Sequence, residues 1–417
     1  MRTTHTYDAV VVGARCAGAS TAMLLARNGL DVLLVDRATF PSEIPQGHFI
    51  HRHGPRRLAR WGLLGRILDT GCPAVTSITL DLGDFPLTGV DLCLDGIPLG
   101  VGPRRAHLDR ILVEAAVEAG ADFRDQFAVD ELTGDGERIT GIRGRDLASG
   151  SAVSEAARIV IGADGRNSGV ARRVAAPVTV GEPTVACWYF SYWSGVQCDG
   201  LEIYVRGDRA IFTHPTNDGL TAVFVGAPIA HLSQVRRDVE GNFLEAVDRV
   251  PALAERIQEG ERAERFYGAA RMPNFIRRPY GAGWALVGDA GCHKDPWLAL
   301  GVCDALRDGT LLAEALDDGL SGRRPLDAAL ADYARRRDDA AMPAYELNLG
   351  FATLAPPDPA MEQLIAALST NQDAANRFTG ALLGVVPVAE FFEPENLEAI
   401  VHEAGSGRTD DTPALLG

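Results

Sequence analysis

Residues 8–18 read Asp-Ala-Val-Val-Val-Gly-Ala-Arg-Cys-Ala-Gly, and residues 32–36 read Val-Leu-Leu-Val-Asp. An apolar run over 9–12 stops at Gly13. Helix-favouring residues follow over 17–27, Gly29 stands where a helix would end, and the second apolar run closes on Asp36. A strand, turn, helix and strand with an acidic residue about 20 positions after the first glycine is the signature of a dinucleotide site. Gly13 permits the tight turn and Gly18 lets the helix pack close to the sheet. The first turn, with Cys16, Ala17 and Gly18, offers free N–H groups and a positive dipole end to a pyrophosphate. Arg15 occupies the place of the middle glycine, so its side chain is expected to lie along the pyrophosphate or to point outward. Asp36, with Arg37 beside it, is placed to accept hydrogen bonds from a ribose diol and to repel a 2′-phosphate. That favours FAD or NAD over NADP as the bound dinucleotide.

Composition sets the frame around this unit. The chain has 417 residues, 46% of them hydrophobic, enough for a large core and two or three domains. Forty basic residues stand against 56 acidic ones, a net charge of −16, which argues against nucleic acid as a partner. The seven cysteines (16, 72, 93, 187, 198, 292 and 303) are scattered and lack paired spacing. They read as reduced thiols in a cytoplasm, with no metal site. The first strand is expected from about Tyr7, leaving no room for a signal peptide ahead of it, and no membrane span is expected.

Alternation over 77–82 and 90–94 predicts half-buried antiparallel strands. A helical period over 105–120 puts Leu108, Ile111, Leu112, Ala115 and Ala119 on one stripe. Residues 158–162 form a buried strand that ends in Gly162-Ala163-Asp164-Gly165. A β region follows over 186–226, with a hairpin turn at 206–209, then helices over 239–257. A last short strand covers 284–288, and helices cover 301–319, 325–347 and onward to about 402. The expected fold is α/β (α+β overall). A Rossmann-like nucleotide-binding domain takes 1–75, 101–180 and 268–345. An inserted antiparallel sheet takes 76–100 and 181–267, and a C-terminal helical segment with a frayed tail takes 346–417.

Three motifs stand in order: the glycine turn, Gly162-Ala163-Asp164-Gly165-Arg166-Asn167-Ser168, and Gly288-Asp289-Ala290-Gly291 followed by Pro296 and Gly301. Together they resemble the FAD-dependent aromatic hydroxylases of the para-hydroxybenzoate hydroxylase type, over roughly residues 7–347. The segment Pro103-Arg104-Arg105-Ala106-His107-Leu108-Asp109 is similar to that family's Arg-x-x-Leu/Phe-Asp stretch. Residues 13–18, 36–41 and 288–296 further resemble a bacterial branch of geranylgeranyl-reductase-like and halogenase-like enzymes. The resemblance implies FAD, held by Gly13, Arg15, Cys16, Ala17, Gly18, Asp36, Arg37, Arg105, Asp164, Gly165, Gly288, Asp289, Pro296, Gly301 and Val302. It implies NADPH or NADH as electron donor. Leu300 and Cys303 depart from the polar residues that often follow the proline, and the Trp-x-Trp-x-Ile-Pro signature of tryptophan halogenases is absent.

The expected activity is that of a monooxygenase. It hydroxylates or epoxidises a hydrophobic, aromatic or polycyclic small molecule of secondary metabolism by way of a flavin hydroperoxide formed with O2. The alternatives are a double-bond reductase, a halogenase, and a non-redox FAD-containing cyclase or binding protein; the chain is expected as a monomer or homodimer. Alternation places Trp188, Phe190 and Tyr192 on one face of a strand, a candidate pocket wall with His214. His48, His51 and His53 crowd one loop without a ligand set for metal. His48 is read as a catalytic or gating residue and equally as a solvated loop histidine. Lys294 and Pro296 are the other catalytic candidates, with Lys294 steering a hypohalous acid or a substrate oxygen, or else pairing with an acid such as Asp295.

Overall fold

The computed structural model describes residues 5–42, 46–51, 53–83, 86–90, 93, 95–355, 359–383 and 386–406. Its core is a parallel sheet in which Thr6–Val12 lies between Val32–Val35 and Ala152–Gly162. Trp284–Leu286 continues it beyond Ala152–Gly162, and Asp122–Arg124 beyond Val32–Val35, both in parallel. Parallel strands are buried on both faces, and their apolar runs show it. Ala9 and Val11 meet a helical layer of Cys16–Arg27, Arg105–Glu118 and Gly301–Leu320. Val10 and Val12 meet Phe127 and Ile142 of an antiparallel meander on the other face.

That meander, Phe127–Gly134 and Ile139–Asp146 pairing with the start of Ala152–Gly162, was not expected from the sequence. Its strands are rich in glycine and charge, and their outer positions pair as ions across the ladder, Arg143 with Glu131 and Arg145 with Asp130. Such strands lack the apolar alternation that marks a half-buried one.

The second sheet runs Ala186–Ser194, Leu220–Pro228, Arg209–Pro215, Leu201–Arg206, Ile78–Asp81 and Pro86–Gly89. It is antiparallel except where Leu201–Arg206 pairs in parallel with Ile78–Asp81. The strand expected at 90–94 lies at Pro86–Gly89, and most of 90–94 falls outside the described residues. One face, with Trp193, Tyr204, Ile211 and Val223, packs on Phe243, Val247 and Leu253 of two helices, Val239–Asp248 and Pro251–Glu259. The single helix expected over 239–257 breaks at 249–250, ahead of Pro251, which cannot continue a helix interior but suits a first turn. The other face, with Trp188, Ile203 and Phe212, packs on Trp297, Leu298 and Leu300 and on the helices Leu326–Ala352, Pro359–Leu368 and Gln372–Leu382. The C-terminal helix is Pro394–Ser406, and the end of the tail expected to fray, 407–417, lies outside the described residues.

Candidate functional site

The glycine turn leaves no room for side chains. Gly13 has φ +105°, and a Cβ there would stand 2.5 Å from the Ala163 carbonyl oxygen; at Gly18 it would stand 1.7 Å from the Gly13 carbonyl oxygen. The turn, the helix Cys16–Arg27 and the loop after Ala152–Gly162 therefore meet backbone to backbone. The N–H groups of the helix's first turn have no acceptor within the helix and are available to an anion. Asp36 is 9% exposed and binds this turn directly: Oδ2 accepts from the Ala14 N–H at 2.8 Å and Oδ1 from the Ala38 N–H at 2.8 Å. Each oxygen keeps a lone pair for a ribose hydroxyl. Arg37 is exposed.

Arg15 reaches across to the helix Arg105–Glu118. Its backbone is extended at φ −92°, a conformation any residue adopts, so the position tolerates arginine. Its guanidinium donates to Asp109 Oδ2 at 2.6 Å and to Ser42 Oγ at 3.0 Å, and lies over the Phe40 ring. Asp109 is fully buried and also holds Arg105, whose Nη2 donates to both carboxylate oxygens at 2.9 and 3.1 Å. The Cys16 thiol approaches the same carboxylate at 3.5 Å, and burial pushes that thiol up to about 12. Arg105 is 5% exposed; its Nη1 donates to Gln46, while its buried Nε has no partner.

Asp164 caps the short helix Gly169–Arg173. It accepts from Ser168 Oγ at 2.5 Å and from the Gly169 and Val170 N–H groups at 2.6 and 3.1 Å. Gly165 follows at φ +75°. Asp289 has no hydrogen bond to another described residue and is half-buried. Its Oδ1 lies 4.0 Å from where a Cβ on Gly301 would stand, facing the N-terminus of Gly301–Leu320, and it acts on Arg105 electrostatically. Gly288, at φ +61°, passes so close to the helix Cys16–Arg27 that a Cβ would stand 2.7 Å from that of Ala17. An unpartnered carboxylate, an orphaned guanidinium nitrogen and two helix N-termini around a side-chain-free cradle fit a flavin dinucleotide. Val302, in that helix's first turn, is 9% exposed.

Side chains tie the turn between Gly288 and Gly301 to its neighbours. The acid that pairs with Lys294 is Asp304, on the following helix, and Arg307 binds the other oxygen of Asp304. Lys294 is 5% exposed and stays fully cationic. Asp295 Oδ1 instead accepts from Trp188 Nε1 at 3.0 Å and from the Trp297 N–H at 3.1 Å, capping the 3-10 turn Pro296–Leu298. His51 parts company with His48: its Nε2 meets the Leu298 carbonyl oxygen at 2.7 Å, and its own carbonyl accepts from the Cys303 thiol at 2.9 Å. No group of metal ligands forms among the described residues.

His48 joins the aromatic strand. Nδ1 meets the Gly102 carbonyl at 3.1 Å, so that nitrogen carries the proton, and Nε2 accepts from the Tyr192 hydroxyl at 2.9 Å. His214 stands edge-on to His48, ring centroids 5.0 Å apart; its Nδ1 meets the Pro215 carbonyl at 3.1 Å and its buried Nε2 has no partner. Burial, with the second imidazole and Arg104 and Arg105 nearby, holds His48 well below the usual histidine range, and burial holds His214 down to about 4. Both rings are neutral. Phe190, Phe224 and Tyr267 stack into the same wall, and Phe49 lies against His214. Arg104 lies over the Tyr192 ring at 4.2 Å and pairs with Glu264 at 2.6 Å. The sequence brought Trp188, Phe190, Tyr192 and His214 forward. Phe49, Phe224, Tyr267, Arg104 and Asp295 were missed as pocket residues, although Arg104 and Asp295 sit inside motifs already singled out.

A family described as FAD binding domain matches residues 6–347. The chain is 24% identical over 355 residues, 79% of each chain, to digeranylgeranylglycerophospholipid reductase 1 of Methanococcoides burtonii. Among solved structures it superposes on the myxobacterial chondrochloren halogenase CndH with a TM-score of 0.77 at 20% identity, covering 97% of both chains. It superposes on pqsL, a probable FAD-dependent monooxygenase from Pseudomonas aeruginosa, with a TM-score of 0.70 at 20% identity, covering 90% of this chain and 99% of the other. At these identities the superpositions show a shared fold.

Proposed function

The chain belongs to the FAD binding domain family, and on that premise we propose that it is a monooxygenase that places one oxygen atom from O2 on a hydrophobic aromatic or polycyclic small molecule. NADPH or NADH is the electron donor. Bound FAD supplies the redox chemistry, taking electrons from the nicotinamide and passing them to O2. Segments 1–75, 101–180 and 268–345 hold the cofactor, and the sheet of 76–100 and 181–267 forms the substrate side.

One observation carries this reading: the sheet face toward the turn 293–301 is an aromatic wall whose two histidines are neutral. Phe190, Tyr192, Phe224 and Tyr267 offer flat apolar surface to a ring system and exclude water. Arg104, the cation over the Tyr192 face, is committed to Glu264 and does not stand free to select a carboxylate. Halogenation guided by an uncommitted lysine fits less well, because Lys294 is paired with Asp304. Reduction of an isolated double bond is a second reading, favoured by the likeness to the Methanococcoides burtonii reductase.

The deciding experiment supplies labelled O2, NADPH or NADH and a panel of polycyclic aromatic compounds to the FAD-loaded enzyme. Label in the product is the expected result. Product that forms only without O2 and carries two added hydrogens would replace this reading with the reductase.

A further inference from the structure

Asn348 stands inside the helix Leu326–Ala352, between Leu347 and Leu349, and is 1% exposed. Asparagine is a poor helix former, and a buried amide is costly unless it is bonded. This one is bonded twice, and both partners are backbone groups of a single turn. Oδ1 accepts from the Leu298 N–H at 2.8 Å, and Nδ2 donates to the Asp295 carbonyl oxygen at 3.0 Å. The reversed amide would set oxygen against oxygen and N–H against N–H, so its orientation is fixed. One side chain therefore spans the 3-10 turn Pro296–Leu298 from end to end. The Trp297 ring adds to the hold by stacking on Phe351 of the same helix, centroids 4.6 Å apart.

This turn needs holding. It closes on Ala299 at φ +49° and ψ +36°, the left-handed region that a Cβ disfavours. A residue stays there only where its surroundings over-determine it. Leu300 comes next, and Gly301 opens the helix Gly301–Leu320, so the strained position sets the direction in which that helix starts. The helix N-terminus faces Asp289 across the cofactor cradle. A positive helix end favours negative charge beside it, and a reduced flavin is more negative than an oxidised one.

We propose that Asn348 is a positioning residue for the cofactor. By clamping Asp295 and Leu298 it holds Ala299 in its left-handed conformation, and so it aims the N-terminus of Gly301–Leu320 at the cradle and favours the reduced flavin. The proposal rests on bound FAD and not on the oxygen chemistry.

The test is the flavin midpoint potential of the FAD-loaded protein, measured by titration against reference dyes. Asn348→Leu is similar in volume and removes both bonds. Its reduced form should lose about tenfold against the oxidised one, a fall of about 30 mV for a two-electron couple. Ala299→Gly adopts the left-handed conformation without a clamp. Alone it should keep the wild-type potential, and combined with Asn348→Leu it should recover at least half of the fall. Ala299→Val leaves Asn348 intact but drives the turn out of that conformation, and it should reproduce the fall. A merely structural role for Asn348 would lower the melting temperature of Asn348→Leu without moving the potential, and glycine at 299 would restore nothing. A wild-type potential in Asn348→Leu, or no recovery in the double variant, would overturn the assignment. Should Asn348→Leu fail to fold, Ala299→Val against wild type decides. Wild-type protein that takes up no FAD would overturn the proposal together with the reading of the cradle; unchanged potentials in FAD-loaded variants would overturn the proposal alone.

Discussion

At Gly13 and Gly18 the candidate site is made of backbone, whereas around His214 it is made of side chains from segments far apart in sequence. In the first region a single added carbon collides with a carbonyl oxygen. In the second, His48, Gly102, Tyr192, His214 and Phe224 converge from a loop, a second loop and three strands. A backbone site tolerates almost no residue but glycine at its close approaches, so it writes itself into the sequence. A side-chain site can be rebuilt with other residues at the same positions. The contrast explains how one fold serves the reductase, halogenase and monooxygenase that it resembles.

Gly18→Ala should destabilise the protein by about 3 kcal/mol or more, because the clash is with backbone and nothing flexible can yield. Purified protein should be colourless or aggregated. Gly29→Ala is the control: φ is +83° but no atom lies within 4 Å of the added carbon, so only the left-handed penalty of about 1–2 kcal/mol applies. Thermal melts and bound-flavin absorbance check both. Equal melting temperatures for the two variants would show that the cradle is not set by backbone contact.

Burial lowers the folded-state pKa of His214 from 6.5 to about 4. The unfolded chain therefore takes up a proton that the native one refuses, and stability present above pH 6.5 is lost as pH falls toward 4. The loss reaches about 3 kcal/mol for this group. Asp295 works in the opposite sense, since its raised folded pKa stabilises the native state at acid pH and is lost as pH rises through about 7. The readout must therefore be a difference. His214→Phe should lose less stability than wild type between pH 6.5 and 4 in urea titrations. Parallel curves would mean that His214 is not held neutral.

The same contrast decides what the sequence made legible. The strand–turn–helix unit, Gly288-Asp289 and the helix Gly301–Leu320 were all readable, because each obeys a local backbone rule. So was the aromatic face, since period two alone places Trp188, Phe190 and Tyr192 together. The partners were not. Nothing local says that Tyr192 donates to His48, that Lys294 reaches Asp304 one helix onward, or that Arg15 reaches Asp109, 94 residues away. The meander of Phe127–Gly134 and Ile139–Asp146 escaped for another reason: its outer face is stabilised by cross-strand ion pairs, which leave no hydrophobic period to read.

A smaller effect sharpens the cofactor side. Asp289→Ala should weaken FAD binding by about 1–3 kcal/mol, up to roughly a hundredfold, with the fold unchanged. Its carboxylate has no hydrogen bond to lose among the described residues, so the cost falls on the ligand and not on the protein. Apoprotein titrated with FAD, followed by fluorescence quenching, separates the two. A drop in melting temperature of the apoprotein would assign Asp289 a structural role instead.

The smallest effect is expected where the family pattern is broken. Arg15→Gly restores the usual glycine and removes a guanidinium that is 22% exposed. Two considerations oppose each other. Asp109 is fully buried, and stripping a buried carboxylate of its only cation costs about 3–5 kcal/mol. Asp109 has a second cation, however: Arg105 binds both of its oxygens and is itself nearly buried. The carboxylate therefore stays paired, and what is lost is one partly solvated ion pair and the contact with Ser42, about 1 kcal/mol. Glycine at this position also frees the unfolded chain, which adds up to about 1 kcal/mol to the loss. FAD affinity should change less than in Asp289→Ala, because the Arg15 guanidinium is committed to Asp109 and Ser42. The decisive comparison is Arg15→Gly with and without Arg105→Gln. If Arg105 is the reserve cation, the double variant should lose far more stability than the two single losses added together. Simple additivity would mean that Arg15 alone neutralises Asp109, and that the arginine in the glycine turn is the structural centre of the cradle.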